Sequence, residues 1–291
     1  QLDTDGDGIG DASDPDDDND GFTDLEETSA GTLPNDPASK PGLDFGLVAW
    51  YPFDGNASDM SGNGNDGTIN SAVLASDRFG RNGGAYRLQS WFTLGNSTQD
   101  WGIGLGDIDA LDSPEACSFS IWFNREVHHG GGNSNTGQQV NNVLIAQAGY
   151  DFGWNEGRAL TNLEIGSEGS KFEIYIDSDD SDGTVYLEAG LTSSRWYHLV
   201  VVFDESLKVY LDGSLIGTYD QYGGRIESSD TLPLTIGAAG QNQHYMGGFD
   251  GLIDNFRIYD RALSAAEVQA LYNLENTPPN TAPANLNATE P

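Results

Sequence analysis

Residues 196–218 read WYHLVVVFDESLKVYLDGSLIGT, and this stretch decides the fold class. Residues 197–203 are apolar on nearly both faces, which is typical of a central strand that is covered on two sides. Turn residues at 204–206 lead into a second run at 207–211, and Asp212-Gly213 predicts a tight hairpin into residues 214–218. Three antiparallel strands joined by short turns indicate an all-β domain.

Similar alternating runs recur along the chain with turn residues between them. Further strands are expected at residues 47–53, 117–123, 171–176, 232–236 and 251–259. One helix is expected after Ser264, which forms a capping box with Glu267 ahead of an apolar stripe of Val268, Leu271 and Tyr272. About a dozen strands with one short C-terminal helix predict a two-sheet antiparallel jelly-roll sandwich.

Several segments resemble one known family. They are LVAWYPFDGNA (47–57), DMSGNGNDG (59–67), SFSIWF (118–123), WYHLV (196–200), VYLDG (209–213) and GLIDNFRIYDRALS (251–264). These motifs resemble, in family order, bacterial laminin-G-like domains of the concanavalin A-like lectin/glucanase superfamily. The resemblance spans residues 46–274. It implies a lectin-type sandwich that usually lacks catalytic activity and often holds a structural calcium.

The charge balance excludes several partners. The chain has 46 Asp and Glu against 12 Lys and Arg, a formal net charge of -34. Such an excess repels nucleic-acid phosphates and anionic membrane surfaces, whereas it favours cations. No apolar run approaches the roughly 20 residues that a membrane helix needs, so membrane insertion is not expected. Cys117 is the sole cysteine, which excludes an intrachain disulfide, and we expect it to be an inert buried thiol.

The acidic residues concentrate at the N-terminus, where residues 1–27 hold 12 of the 46 and no Lys or Arg. Two tandem loops fit the 12-residue calcium pattern, with a glycine (Gly8, Gly21) at position 6 of each. In the first loop the expected ligands are Asp3, Asp5, Asp7, the Ile9 carbonyl, Asp11 and Asp14. In the second loop they are Asp16, Asp18, Asp20, the Phe22 carbonyl, Asp24 and Glu27. The sequence therefore predicts Ca²⁺ binding, the alternative being a solvated acidic linker.

The flanking helices of an EF-hand are not expected beside these loops. Residues 2–27 instead resemble thrombospondin type 3 repeats, which implies a calcium-stiffened connector. The domains are then residues 1–27 as calcium repeats, a linker at 28–44, the sandwich at 45–275, and a second linker at 276–291 that leads to a following domain. We expect the chain to be a segment of a longer secreted protein.

A further calcium site is predicted inside the sandwich. Asp254 lies in an apolar strand with Leu252, Phe256 and Ile258, and a lone carboxylate facing a core requires a partner. Loop 54–65 offers oxygen-bearing side chains around flexible glycines: Asp54, Asn56, Asp59, Asn63 and Asn65. The alternative is that these residues make hydrogen-bonded turns. Another acidic segment lies at residues 177–183, and we expect it to be a solvated hairpin tip and not a cation site.

The ligand surface is expected in the long loops. Sugar binding by a sandwich combines an aromatic platform with polar side chains, because sugars have apolar faces and polar rims. The candidates are Trp101, Asp107, Tyr150, Trp154, Gln241, Asn242, Gln243, His244 and Tyr245. The alternative for each aromatic is partly buried packing. Packing is also the interpretation of His198, and zinc is not expected at the adjacent His128 and His129.

Catalysis is not expected. Related enzymes carry a Glu-x-Asp-x-x-Glu strand, and the nearest segment here, residues 107–112, has no Glu and runs into a Ser113-Pro114 turn. With so few basic residues, the basic subsite that a lyase needs to neutralise a uronate is not expected either.

The sequence therefore predicts a non-catalytic, calcium-dependent glycan-binding or adhesion module of a large extracellular or surface bacterial protein. Its partners would be a glycan or another cell-surface ligand, together with other domains of the same polypeptide. Two alternatives stay open: an accessory carbohydrate-binding module of a polysaccharide-degrading enzyme, and a structural spacer without a ligand.

Overall fold

The computed structural model describes residues 2–70, 72–88, 102–112, 114–126, 142–150, 159–168, 170–176, 183–222, 233–237 and 249–278. These residues form two α-helices, α1 (Asp24–Ala30) and α2 (Ala265–Glu275), two short 3₁₀ turns (Asp109–Leu111 and Asp220–Tyr222) and fifteen strands. The strands are β1 (Leu47–Tyr51), β2 (Thr68–Ile69), β3 (Val73–Ser76), β4 (Asn82–Leu88), β5 (Ile103–Gly106), β6 (Cys117–Arg125), β7 (Asn142–Tyr150), β8 (Ala159–Glu168), β9 (Lys171–Ile176), β10 (Gly183–Glu188), β11 (Trp196–Phe203), β12 (Leu207–Leu211), β13 (Ser214–Tyr219), β14 (Leu234–Ile236) and β15 (Gly251–Tyr259).

The strands make two antiparallel sheets. Sheet A has eight strands in the order β13-β12-β11-β6-β15-β4-β3, with β1 also paired to β15. Sheet B has seven strands in the order β10-β9-β8-β7-β14-β5-β2. The predicted all-β, two-sheet jelly-roll sandwich is confirmed, and β11 is central because it lies between β12 and β6.

The central strands of sheet A, β6, β11 and β15, are buried on both faces. The inner face of the sheet packs against sheet B, where Phe119, Ile121 and Leu199 join the main hydrophobic core. Its outer face packs under α2, where Val200 and Val202 join a second cluster. This double covering is the physical reason for the apolar character of both faces of β11.

Helix α2 forms as the capping-box pattern predicts. The Ser264 side chain accepts a hydrogen bond from the Glu267 amide, and the Glu267 carboxylate accepts one from the Ser264 amide. Val268 and Leu271 are fully buried against sheet A. Among the described helices, none is long and apolar enough to span a membrane.

A second helix departs from the sequence expectation. Helix α1 begins at Asp24, within the last third of the second calcium loop, so the expectation that no helix flanks the calcium loops is wrong at this end. The reason is local, since Thr23 and Glu26 form a capping box. Gly31 ends the helix in a left-handed conformation (φ 79°) that glycine adopts without strain.

Candidate functional site

The second acidic loop, residues 16–27, gathers carboxylates around one point. Carboxylate oxygens of Asp16, Asp18 and Asp20 all lie within 4.8 Å of one another. Asp18 is only 7% exposed and Glu27 is fully buried. Gly21 has a φ of 98°, which permits the sharp turn that the pattern requires at position 6.

The loop leaves several buried carboxylate oxygens without a partner. Both oxygens of Asp18 and Oε2 of Glu27 receive no hydrogen bond from the described residues, and Oδ2 of Asp20 has only the Lys40 ammonium at 3.4 Å. The other Glu27 oxygen accepts from the Thr32 hydroxyl at 3.2 Å, and the Asp20 amide bonds to Asp16. Buried charged oxygens without donors are costly, whereas hard oxygen ligands suit Ca²⁺. The residues of this loop therefore fit a calcium ion.

The electrostatics of the loop agree with that fit. Burial, with repulsion from Asp20, raises the pKa of Asp18 above its ordinary value. Burial likewise raises the pKa of Glu27, although the hydrogen bond from Thr32 opposes the effect. Asp24, at the start of α1, accepts a hydrogen bond from the Asp17 amide at 3.0 Å.

The first acidic loop is built differently. Asp3, Asp5 and Asp7 also bring carboxylate oxygens within 4.8 Å of one another, but Asp3 and Asp7 are exposed. Asp11 is occupied by the amide and hydroxyl of Thr4. Asp14 accepts from the amide of Asp16, and Ile9 is 46% exposed. The first loop thus presents an open cluster and the second a buried one.

Side chains of the loop at 54–65 fasten it onto strand β1. Asp59 accepts hydrogen bonds from the amides of Trp50, Ser61 and Asn65 at 2.8–3.0 Å. Burial alone would raise the pKa of Asp59, but these bonds hold it below its ordinary value. The side-chain amides of Asn63 and Asn65 both donate to the Val48 carbonyl at 3.0 Å.

The two remaining members of that loop also have protein partners. Asp54 forms an ion pair with Arg81 at 3.1 Å, and Asn56 accepts from the Ser58 amide at 2.9 Å. These contacts are those expected of hydrogen-bonded turns. Calcium binding by this loop stays a prediction.

Asp254 lies on strand β15 and is paired with an arginine. A bulge at Asn255 (φ 49°) shifts the register of β15, so Ile253 and Phe256 both face the core while Asp254 faces α2. The expectation that Asp254 shares a face with Phe256 is therefore wrong. Its carboxylate pairs with the guanidinium of Arg78, and the two side chains are 2% and 9% exposed.

Asp254 belongs to a buried polar cluster beneath the end of α2. Arg78 also donates to the carbonyl of Glu275 at 2.6 and 3.1 Å, and the Glu275 carboxylate accepts from Arg257 at 2.6 Å and Trp122 at 2.7 Å. Burial raises the pKa of Asp254 to about 7, although Arg78 opposes the effect. The cluster satisfies its own charges and joins the helix to sheet A.

His198 lies in the same region, and its contacts are those of a packing residue. Its ring stacks on Trp122, with centroids 4.9 Å apart, and its Nε2 bonds to the Ser120 hydroxyl at 2.8 Å. Burial, aided by the nearby charge of Arg78, lowers its pKa to about 3. Cys117 is buried and unpaired, as expected.

Two of the predicted ligand residues, Asp107 and Tyr150, belong to the described part of the chain. Asp107 is exposed, just before the 3₁₀ turn Asp109–Leu111, and Tyr150 ends β7. The rest lie outside the described residues: Trp101, Trp154, Gln241, Asn242, Gln243, His244 and Tyr245. The same holds for His128, His129 and most of the acidic segment 177–183.

A cleft of about 490 Å³ lies beside strand β1, and sequence reasoning missed it as a site. It is lined by Asp44, Gly46, Leu47, Val48, Asn63, Asn65, Ile108, Asp109, Ala110 and Asp260. Asp44, Asp109 and Asp260 bring three exposed carboxylates to one place from distant parts of the chain. No local pattern connects these residues. The one available signal was the polar loop that supplies Asn63 and Asn65.

A family model described as the concanavalin A-like lectin/glucanases superfamily, of laminin-G type, matches residues 95–269. The chain belongs to this superfamily. Among curated proteins, none matches the sequence significantly.

Solved structures share the superfamily fold at low sequence identity. Domain 4 of AbnA, an extracellular arabinanase from Geobacillus stearothermophilus solved with arabinotriose, is 22% identical with a TM-score of 0.52; the match covers 78% of this chain and 98% of that one. The binding domain of the Paraclostridial Mosquitocidal Protein 1 is 16% identical (TM-score 0.55, covering 80% and 53%). The binding domain of botulinum neurotoxin serotype G is 15% identical (TM-score 0.56, covering 79% and 51%). The chain thus spans about half the length of the two toxin domains.

Proposed function

We propose that this chain is a non-catalytic, calcium-dependent carbohydrate-binding module of a secreted or cell-surface protein. The observation that carries the proposal is the cleft beside β1, which gives a lectin-type sandwich a polar groove of about 490 Å³. A small-molecule site of this kind is typically concave, with an apolar lining and a few polar groups that fix orientation. Leu47 and Ala110, both partly exposed, supply a small apolar surface here, and the carboxylates supply hydrogen-bond acceptors.

The charge of the cleft selects among sugars. Asp44, Asp109 and Asp260 accept hydrogen bonds but cannot donate them when ionised, and among the described residues no Lys or Arg lines the cleft. Sugar hydroxyls can donate to such acceptors, whereas sulfates and uronates would be repelled. The proposed ligand is therefore an unsulfated, non-uronic oligosaccharide.

Calcium is proposed to bind at the N-terminal loops, the second of which provides the buried site. Asp16, Asp18, Asp20 and Glu27 would hold the ion there, and its charge would neutralise carboxylates that otherwise repel one another. Residues 2–27 are proposed to be thrombospondin type 3-like repeats, whose sequence pattern these loops follow. The proposal places the module in a calcium-rich extracellular setting.

Local geometry supports a binding role over catalysis. Hydrolases of the related type need two carboxylates on one strand face, about 5–5.5 Å apart in retaining enzymes. The segment at 107–112 instead contains the 3₁₀ turn Asp109–Leu111, so its carboxylates do not share a strand face.

A second candidate is an accessory module attached to a polysaccharide-degrading enzyme. The observation that favours it is the near-complete coverage, 98%, of a domain taken from an extracellular arabinanase. The two candidates share one biochemical activity, which is glycan binding, and the neighbouring domains of the parent polypeptide distinguish them.

A glycan array tests the proposal. The chain is applied in millimolar calcium and again after chelation, beside Asp109→Asn and a matched control, Asp220→Asn. Asp220 is an exposed Asp that begins the other 3₁₀ turn. Binding to unsulfated oligosaccharides is expected in calcium, weaker for Asp109→Asn and unchanged for Asp220→Asn. Absence of glycan binding in calcium would favour a spacer domain and contradict the proposal.

A further inference from the structure

One apolar side chain of the second acidic loop is buried. Phe22 is 4% exposed, although it lies in an acidic and largely polar segment. It occupies position 7 of the loop, whose backbone carbonyl the calcium pattern assigns to the ion. The same residue therefore has a carbonyl that belongs to the cation site and a ring that packs away from water. Ile9, at the same position of the first loop, is 46% exposed.

The ring of Phe22 packs on a residue of the sandwich. The guanidinium carbon of Arg261 lies 5.3 Å from the centroid of the Phe22 ring, a distance that fits a cation–π contact. Arg261 follows the end of β15, so this contact joins the N-terminal loop to the C-terminal part of the fold.

Arg261 is held firmly by the sandwich. Its guanidinium binds both carboxylate oxygens of Glu267 at 2.5 and 3.0 Å, and its Nε donates to the Phe45 carbonyl at 2.9 Å. Bidentate pairs of this kind fix the orientation of both partners. The side chains of Arg261 and Glu267 are each 10% exposed. Since Glu267 also caps α2, one guanidinium connects the acidic loop, the segment before β1 and the start of the helix.

A second contact reinforces the connection. The ammonium of Lys40 donates to the carbonyl of Asp20 at 3.0 Å and lies 3.4 Å from its Oδ2 atom. The second loop is thus held by two contacts with residues that follow it in the chain, one through the Lys40 ammonium and one through the Phe22 ring. Without a metal ion, the clustered carboxylates repel one another and oppose the closed loop.

We propose that a cation in the second loop fastens this loop to the sandwich, with Phe22 and Arg261 as the positioning pair that transmits the stabilisation. When the ion holds the Phe22 carbonyl, the ring is fixed against Arg261, and Arg261 in turn holds Glu267 and the Phe45 carbonyl. The second loop and the sandwich then unfold as one unit. The inference rests on the proposed calcium binding. It adds that the free energy of calcium binding also stabilises the sandwich against unfolding.

The chain offers a probe that reports on the sandwich alone. All six tryptophans lie at or after residue 50, so intrinsic tryptophan fluorescence is silent about residues 1–44. Calcium binding itself is measured separately by titration calorimetry with calcium chloride. A ligand that binds only the folded state raises the melting temperature of whatever unfolds with its site.

The test compares the full chain with Phe22→Ala and a matched control, Ile9→Ala. Both substitutions truncate position 7 of a calcium loop and leave its carbonyl in place. The melting temperature by tryptophan fluorescence is expected to rise with calcium in the unmodified chain and equally in Ile9→Ala. In Phe22→Ala most of the rise should be lost while calorimetry still shows calcium binding. Amide hydrogen exchange of residues 43–47 and 261–268 should slow on calcium addition in the unmodified chain and in Ile9→Ala, but not in Phe22→Ala.

Two outcomes overturn the inference without touching the proposed function. One is calcium binding by calorimetry with no change in the tryptophan melting temperature. The other is a Phe22→Ala variant that keeps the whole shift. If calorimetry detects no calcium binding at all, the proposed calcium dependence fails and the inference fails with it. Should Phe22→Ala not fold, the exchange measurement on the unmodified chain decides, and unchanged exchange at both segments contradicts the proposal.

Discussion

Replacement of Arg78 by Met should strongly destabilise the sandwich, by an amount that depends on pH. Arg78 is the ion-pair partner of the buried Asp254, and it also bonds to the Glu275 carbonyl at the end of α2. Removing one partner of a buried pair costs about 3–5 kcal/mol, because the other charge is left buried and unpaired. Such a loss is a large part of the roughly 5–15 kcal/mol that stabilises a typical domain.

The pH dependence follows from the protonation of Asp254. Its pKa is raised to about 7 from an ordinary value of 3.8, chiefly by burial. Between these values the folded state holds a proton that the unfolded chain releases, so lowering the pH through this window increases the stability that Asp254 contributes. Without Arg78 the pKa should rise further. The unfolding free energy lost in Arg78→Met is then largest near pH 8. At about pH 5 this loss should fall to about 1–3 kcal/mol, the cost of burying a neutral polar group without a partner.

Urea unfolding in calcium, followed by tryptophan fluorescence at both pH values, measures the loss. The matched control is Arg195→Met, since Arg195 pairs with Asp212 at 2.8 Å but its side chain is 60% exposed. The Arg195→Met variant should lose less than about 1 kcal/mol of unfolding free energy. Adding Asp254→Leu to Arg78→Met should restore part of the stability, because an apolar pair can replace a buried ion pair. A loss below about 1 kcal/mol at pH 8 for Arg78→Met, or no recovery in the double variant, would refute the reasoning.

Three further predictions concern the calcium loops, His198 and Cys117. Asp18→Asn should weaken the tighter calcium site about tenfold or more in calorimetry, a loss of about 1.4 kcal/mol of binding free energy. Asp5→Asn should leave that site unchanged. Equal effects of the two substitutions would show that the two loops are equivalent. The His198 imidazole, whose pKa burial lowers to about 3, should show no NMR titration between about pH 5 and pH 8; a midpoint in that range would contradict its buried environment. Burial raises the pKa of the Cys117 thiol, so a thiol reagent should label it only after unfolding, and rapid labelling of the folded chain would be inconsistent with the structure.

Local patterns located eight of the fifteen described strands and helix α2. The sequence of β6 alternates, so Phe119 and Trp122 lie on opposite faces of the strand, and the two faces contact different layers. The capping box before α2 was readable because Ser264 and Glu267 are three residues apart. Such signals depend on short-range periodicity, which the sequence displays directly.

Features that depend on distant contacts were not readable. Asp254 could be recognised as needing a partner, but Arg78 lies 176 residues away, and the bulge at Asn255 reverses the side that the strand pattern assigns. The cleft draws residues from separate loops that no spacing relates. The calcium pattern in the two loops is nearly identical, and the burial of Asp18, Phe22 and Glu27 distinguishes the second loop.

The most direct test of the central claim is a crystal structure of the chain grown in calcium, with anomalous scattering used to locate the ions. The account predicts an anomalous peak in the second loop, coordinated by Asp16, Asp18, Asp20 and Glu27, with Phe22 packed on Arg261. A second loop that shows no anomalous peak at millimolar calcium, with the carboxylates of Asp18 and Glu27 turned to solvent, would contradict it.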